Sequence, residues 1–357
     1  MEAAVFGGAV LGGGGGGSMA AGLALGLLAV EKGPPELVDP ADLPDNGLLV
    51  TVSMVGSPSG SAPYPAPDHF VRALELLTSG PGAQDPGAVA GLVTNECGGT
   101  ATVNGWLQAA VLGLPVVDAP ANGRAHPTAA MGSMGLHRKP GWLSRQAAVG
   151  GDRADATYLE LVVEGSLEHA GGLVRQASTR IGGLVAVARN PVTVAYAREN
   201  AAVGAIGQAM ALGRAMLDRR DAGPRAVIEA ARVFLGGKVV AEGRVARVEL
   251  DRKEGFDLGA VTVEPSSSGR ALDLLFWNEY AVCERAGARL ATFPDLIATF
   301  DLSTGLPVTT AEIAVGSEVA VLLVDRRRLI LGAGMRDPEL MRPLEAAVGR
   351  EMVSHVF

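Results

Sequence analysis

The chain has 357 residues, 48% of them hydrophobic and 19% charged, with 49 glycines, two cysteines and a formal net charge of −8. Single cores tend to divide beyond roughly 250–300 residues, so two domains are expected. The acidic balance argues against a nucleic-acid surface, which needs a basic stripe to release phosphate counterions; Arg326-Arg327-Arg328 is one local cluster.

The apolar start from Ala3 to Val30 has no basic leader and is broken by six glycines in a row. Its apolar runs fall short of the roughly 20 residues that cross a bilayer, so no membrane association is expected. Cys97 and Cys283 form neither a disulfide framework nor a zinc motif by spacing, which points to a reducing, cytoplasmic setting.

In chain order, Ala3 to Leu11 reads as a short helix, Gly12 to Gly17 as a loop, and Ser18 to Lys32 as a buried helix capped by Ser18. A glycine loop opening a helix suits an anion, but no Gly-Lys-Ser/Thr ending follows and no strand clearly precedes it. Close packing of the glycines is the alternative, and backbone contact from Gly14, Gly15 and Gly16 to an uncharged ligand is a third.

Glu36–Asp39 and Gly47–Val55 read as strands. The Gly/Ser/Pro stretch from Gly56 to Pro67 has the composition of a lid or a site wall. Asp68 to Thr78 has helical periodicity, with Phe70, Leu74 and Leu77 on one face and His69 outside it.

Ala90–Thr94 and Leu114–Asp118 have the length and β-branched content of buried parallel strands, joined by a helix within Ala101–Gly113. Ligands of open α/β sheets bind beyond the carboxyl ends of strands. The turn after the first strand carries Asn95, Glu96, Cys97, Thr100 and Asn104, and the turn after the second carries Asp118, Asn122, Arg124 and His126. Either turn alone could be explained by capping and tight reversal; together they form the best candidate site.

Further on, a strand at Ala156–Glu164, a helix at Leu167–Ile181, a strand at Gly183–Ala188, a long helix at Pro191–Leu217 and a helix at Ala226–Leu235 are expected. From Gly236 the pattern alternates with period two, in Lys238–Leu250, Ala260–Glu264, Asp273–Val282, Arg289–Phe293 and Val319–Leu323, as in an antiparallel sheet. Asn278 and Glu279, flanked by aromatics, would point to opposite faces of one strand.

The expected fold is therefore an α/β N-terminal domain with a mostly parallel sheet, plus a smaller β-rich C-terminal domain. Residues 1–155 hold the glycine loop and the site, 156–235 complete that domain with a helical bridge, 236–330 form the β-rich domain, and 331–357 a terminal tail or helix.

Read in order, these motifs resemble the S-methyl thiohydantoin desulfurase-like family, associated with hydantoinase and oxoprolinase systems. They are Gly12–Gly17, Glu96-Cys97-Gly98-Gly99 with Asn104, Gly113–Asp118 leading to Gly123–Pro127, Gly237-Lys238-Val239, Trp277-Asn278-Glu279 and Leu290–Ile297. The resemblance runs from about Ala3 to about Val321. It implies an α/β domain followed by a β-rich one, with chemistry at C2 of a five-membered hydantoin-like ring near the Glu96 and Asp118 turns.

Hydrolysis at such a carbon needs a base for water, a donor for developing charge and an acid for the departing thiol. Glu96 is the candidate base, His126 or Asp118 the proton source, and Arg124 a forked contact to a carboxylate or ring carbonyl. Cys97 could attack directly if its thiolate were stabilised, or simply pack. Substrate contacts are expected from Gly14, Gly15, Gly16, Asn95, Thr100, Asn104, Arg124, Asn278 and Glu279.

The cofactor is left open, with a divalent metal conceivable among Glu96, Cys97, Asp118 and His126. A small cyclic amide is the expected partner of a homo-oligomeric enzyme. The rival readings are an auxiliary or ligand-binding subunit beside a hydantoinase-like partner, and a nucleotide-binding protein using the glycine loop.

Overall fold

The computed structural model describes residues 1–57, 59, 65–79, 88–267 and 269–357. Half of the Gly/Ser/Pro stretch read as a lid or site wall, residues 58 and 60–64, therefore lies outside the described residues.

The chain opens with α1 (Glu2–Leu11), buried from Ala4 to Leu11 on every side. A helix apolar all round belongs in an interior. Here it packs against α2 (Met19–Lys32) and α7 (Ala205–Leu217), and its far end reaches the second sheet. Ser18 caps α2 as expected, its hydroxyl accepting from the Ala21 N–H.

β1 (Leu37–Val38), β2 (Leu48–Gly56), α3 (Pro67–Leu77), β3 (Val89–Thr94), α4 (Trp106–Leu112) and β4 (Val116–Val117) follow. His69 is buried on α3 rather than outside its packed face, because its Nδ1 accepts from the Ala66 N–H at the start of that helix. Next come β5 (Ser144–Gly150), β6 (Leu159–Gly165), α5 (Leu167–Ile181) and β7 (Leu184–Thr193). The seven strands run in the order β1-β4-β3-β2-β7-β5-β6.

The sheet is mixed rather than mostly parallel. β1, β4, β3 and β2 pair parallel, whereas β2–β7, β7–β5 and β5–β6 pair antiparallel. The parallel half is where helices cross between strands. Within the antiparallel half, β5 and β6 are joined by the eight residues 151–158, too few for a crossover, so that pair must reverse.

The long helix expected over 191–217 is interrupted. β7 continues through Thr193, α6 (Val194–Asn200) is short, and α7 starts after Gly204 at φ 86°. α8 (Pro224–Leu235) leads out of this half.

The remaining strands are β8 (Lys238–Lys253), β9 (Phe256–Pro265), β10 (Leu272–Trp277), β11 (Glu279–Arg285), β12 (Ala288–Thr292), β13 (Leu296–Asp301), β14 (Pro307–Val308) and β15 (Glu318–Val324). They form one antiparallel sheet in the order β12-β11-β10-β9-β8-β15-β13-β14. α9 (Pro338–Val348) and α10 (Val353–Val356) close the chain against β9 and β10.

Candidate active site

Several turns meet at one cleft: the one after β3, the one after β4, the β10–β11 reversal and the glycine loop at Gly16-Gly17. The end of β2, Arg175 of α5 and Arg189 of β7 complete its walls.

The β10–β11 reversal corrects the expected single strand. Trp277 pairs with Glu279, so Asn278 alone makes the turn, at φ 58°. Asparagine tolerates that region because its short amide can bond the nearby backbone. Its N–H donates to Asp257 O at 2.7 Å, its Oδ1 accepts from Asp257 N at 2.9 Å, and its carbonyl accepts from Thr310 Oγ1 at 2.5 Å. Both Asn278 and Glu279 consequently line the cleft instead of facing opposite ways.

The glycine run sets this hairpin against the first half. Gly13 O accepts from Tyr280 N at 2.9 Å and Gly14 O from Thr310 N at 2.8 Å. Gly16 O accepts from Thr100 N and Ala101 N, each at 3.0 Å. A Cβ built on Gly15 would stand 2.2 Å from Glu279 Oε1, so only glycine leaves room for that carboxyl.

Glu279 is 4% exposed, and its Oε2 has no hydrogen-bond partner among the described residues. Burial first, then the neighbouring Glu96 carboxyl, hold its proton affinity well above the ordinary carboxylic range, and the Arg124 charge opposes them.

Glu96 Oε2 accepts from His126 N and from Asn95 Nδ2, each at 3.2 Å, and stands 3.3 Å from His126 Nε2. Burial pushes this carboxyl up to about 7, against the His126 N–H and the Arg189 charge. Burial, followed by Arg189, pulls the His126 imidazole down to about 3, so it is neutral at pH 7. Its Nδ1 faces Thr128 O at 3.0 Å.

Among the expected residues, Gly16, Asn95, Glu96, Asn104, His126, Asn278 and Glu279 line the cleft. The others are placed elsewhere. Cys97 is fully buried in an apolar cluster with Val10, Leu11 and Ala205; its thiol donates to Ala205 O at 3.6 Å, and burial raises its pKa. Asp118 caps α7 from outside, accepting from Ile206 N at 2.7 Å and Gly207 N at 2.9 Å.

Arg124 is enclosed over the Phe293 ring, donating to Pro294 O at 3.1 Å, Asp295 O at 2.5 Å and Ala125 O at 3.2 Å. It ties the two halves together, and burial lowers its guanidinium to about 10. Thr100 donates to Ser18 O at 2.8 Å, while Gly14 and Gly15 pack against Tyr280 and Glu279. Among the described residues no three His, Cys, Asp or Glu side chains are grouped to hold a metal ion.

Arg175, Arg189 and Ser53 were not anticipated at the cleft. Arg189 follows directly on Leu184–Ala188, and a charge continuing an apolar strand was the readable signal. A wider groove adjoins the cleft, sharing Thr128, Ala129, Gly171 and Arg175 and reaching Trp142, Phe256 and α9. No helix among the described residues is long and apolar enough to cross a membrane.

Models of the two domains of S-Me-THD-like proteins match this chain, the N-terminal domain over residues 1–153 and the C-terminal domain over residues 166–330. The chain belongs to the S-Me-THD-like family. A crystal structure of a protein from Chromobacterium violaceum is 23% identical at a TM-score of 0.68, covering 98% of this chain and 94% of its own. That likeness carries the fold alone. No curated protein matches the sequence.

Proposed function

We propose that this S-Me-THD-like protein hydrolyses an S-methyl thiohydantoin at C2, releasing methanethiol and leaving a hydantoin. The observation that carries the reading is a cleft lined by two carboxyls, Glu96, whose Oε2 accepts from two N–H groups, and Glu279, whose Oε2 accepts from none among the described residues. A base near the working pH beside an acid held protonated is what thioimidate hydrolysis requires.

Glu96 takes a proton as water oxygen bonds to C2. Glu279 gives its proton to sulfur as the C2–S bond breaks, and the resulting C2 hydroxyl tautomerises to the carbonyl. Solvent then carries the proton gained by Glu96 back to replenish Glu279. Asn95, Asn104 and Asn278 supply polar contacts for the ring, and the adjoining groove has room for its substituent.

The test is methanethiol release from S-methyl thiohydantoins by the wild type, Glu96→Gln and Glu279→Gln. Each variant should lose about 10²–10⁴-fold in kcat. The wild-type kcat/KM should rise with pH to near 7 as Glu96 loses its proton, then fall at higher pH as Glu279 loses its own. Undiminished release by Glu96→Gln would reject the assignment. Absence of release by the wild type, with co-purification of a larger hydrolase, would favour an auxiliary subunit.

A further inference from the structure

Arg189 lies on β7 between Thr51 of β2 and Gln146 of β5, and is 2% exposed. Its Nη2 donates to Asn95 Oδ1 at 2.5 Å. Guanidinium is a donor only, so it fixes which end of the Asn95 amide is oxygen. The amide nitrogen must then point the other way, and it stands 3.0 Å from His126 Nε2 and 3.2 Å from Glu96 Oε2.

A ring nitrogen that receives an N–H carries a lone pair. Neutral His126 therefore holds its proton on Nδ1, where Thr128 O accepts it at 3.0 Å. The bonds run in one direction, from Arg189 through Asn95 and His126 to Thr128. Arg189 has no acceptor atom and the Thr128 carbonyl has no hydrogen, so the two ends together fix the direction of the chain.

We propose that Arg189 is a positioning residue, which acts through the Asn95 amide to set the His126 tautomer and keep N–H donors turned toward Glu96. The role in catalysis rests on the desulfurase reading; the tautomer does not. Without the guanidinium, Asn95 can rotate by half a turn and set its oxygen against both His126 Nε2 and the Glu96 carboxylate. His126 is then drawn toward the Nε2–H form, opposed only by the Thr128 carbonyl facing Nδ1, and Glu96 holds its own proton more tightly.

The groups facing Glu96 are Asn95 on its own turn, His126 and Arg124 from the turn after β4, Arg189 from β7, Arg175 from α5 and Glu279 from the hairpin. Removing Arg189 changes both the cation nearest the amide and the direction of the bonds. Arg189→Met removes charge and donor while keeping a long side chain, and Arg189→Lys restores one donor.

The primary experiment is ¹⁵N NMR of histidine-labelled protein, with the His126 signals assigned by His126→Gln among five histidines. The wild type should show the Nδ1–H tautomer, Arg189→Met the Nε2–H form or a mixture, and Arg189→Lys a return toward wild type. In the thiol-release assay the acidic limb of kcat/KM should move up by about one unit in Arg189→Met, the scale expected for losing a nearby opposite charge.

An Nε2–H tautomer in the wild type overturns the proposal without any variant, so misfolding of Arg189→Met cannot shelter it. An unchanged tautomer in folded Arg189→Met overturns it as well. A changed tautomer in a protein that releases no thiol supports the positioning role and rejects the desulfurase reading.

Discussion

At the scale of single residues, proximity in sequence says little about shared chemistry. Glu96 and Cys97 are neighbours, yet one side chain lines the cleft and the other is sealed beneath it. Consecutive side chains leave the backbone in different directions, and only the turn geometry decides which one meets solvent. With burial raising its pKa and Ala205 O occupying its hydrogen, Cys97 is not expected to form a thiolate at neutral pH. Cys97→Ala should therefore retain thiol release close to the parent rate, unlike a variant of the base. A loss as large as that of Glu96→Gln would restore the nucleophile reading. Asn95, Glu96 and His126 were legible because polar groups after buried strands are costly unless they serve a turn or a ligand. Arg189 escaped because the apolar pattern reads as a strand ending at Ala188, five residues short of its end at Thr193.

Among elements, the glycine loop shows how a motif can be visible while its role is not. Six glycines after a helix suggest an anion cradle, whereas Gly13, Gly14 and Gly16 give their carbonyls to Tyr280, Thr310, Thr100 and Ala101. Those partners lie far away in the chain, and no local pattern announces them. Gly15→Ala should displace the Glu279 side chain, costing about 1–3 kcal/mol in denaturant unfolding and reducing thiol release. Gly165→Ala is the control, since a Cβ there meets nothing within 4 Å. Equal stability and activity of the two variants would contradict the packing account. The period-two pattern likewise revealed the second sheet but not the Asn278 reversal. An alternating run looks the same whether the chain continues or folds back on one left-handed residue.

For the whole molecule, the protonation of the cleft links pH to stability. His126 has a depressed folded pKa, so its contribution is present above about 6.5 and is lost as pH falls toward 3. Glu96 has the opposite sign: its contribution is present below its ordinary range and is lost as pH rises to about 7. Glu279 extends that loss to higher pH. Thermal unfolding should therefore show Tm decreasing from pH 6.5 to pH 9, with a shallower decrease in Glu279→Gln. Identical slopes would mean that Glu279 does not carry the effect. Two sheets, one α/β and one antiparallel, were legible from the two periodicities. The mixed direction of the first was not, because strand direction depends on connections whose path the sequence pattern does not reveal.

The Asn278 hairpin delivers its carboxyl across the junction between the sheets, from a point 183 positions beyond Glu96 in the chain, 279 minus 96. During synthesis the first turn leaves the ribosome long before its counterpart exists. A polypeptide halted in between carries one acidic group and nothing facing it, so the pair of carboxyls is assembled only when the product is nearly whole.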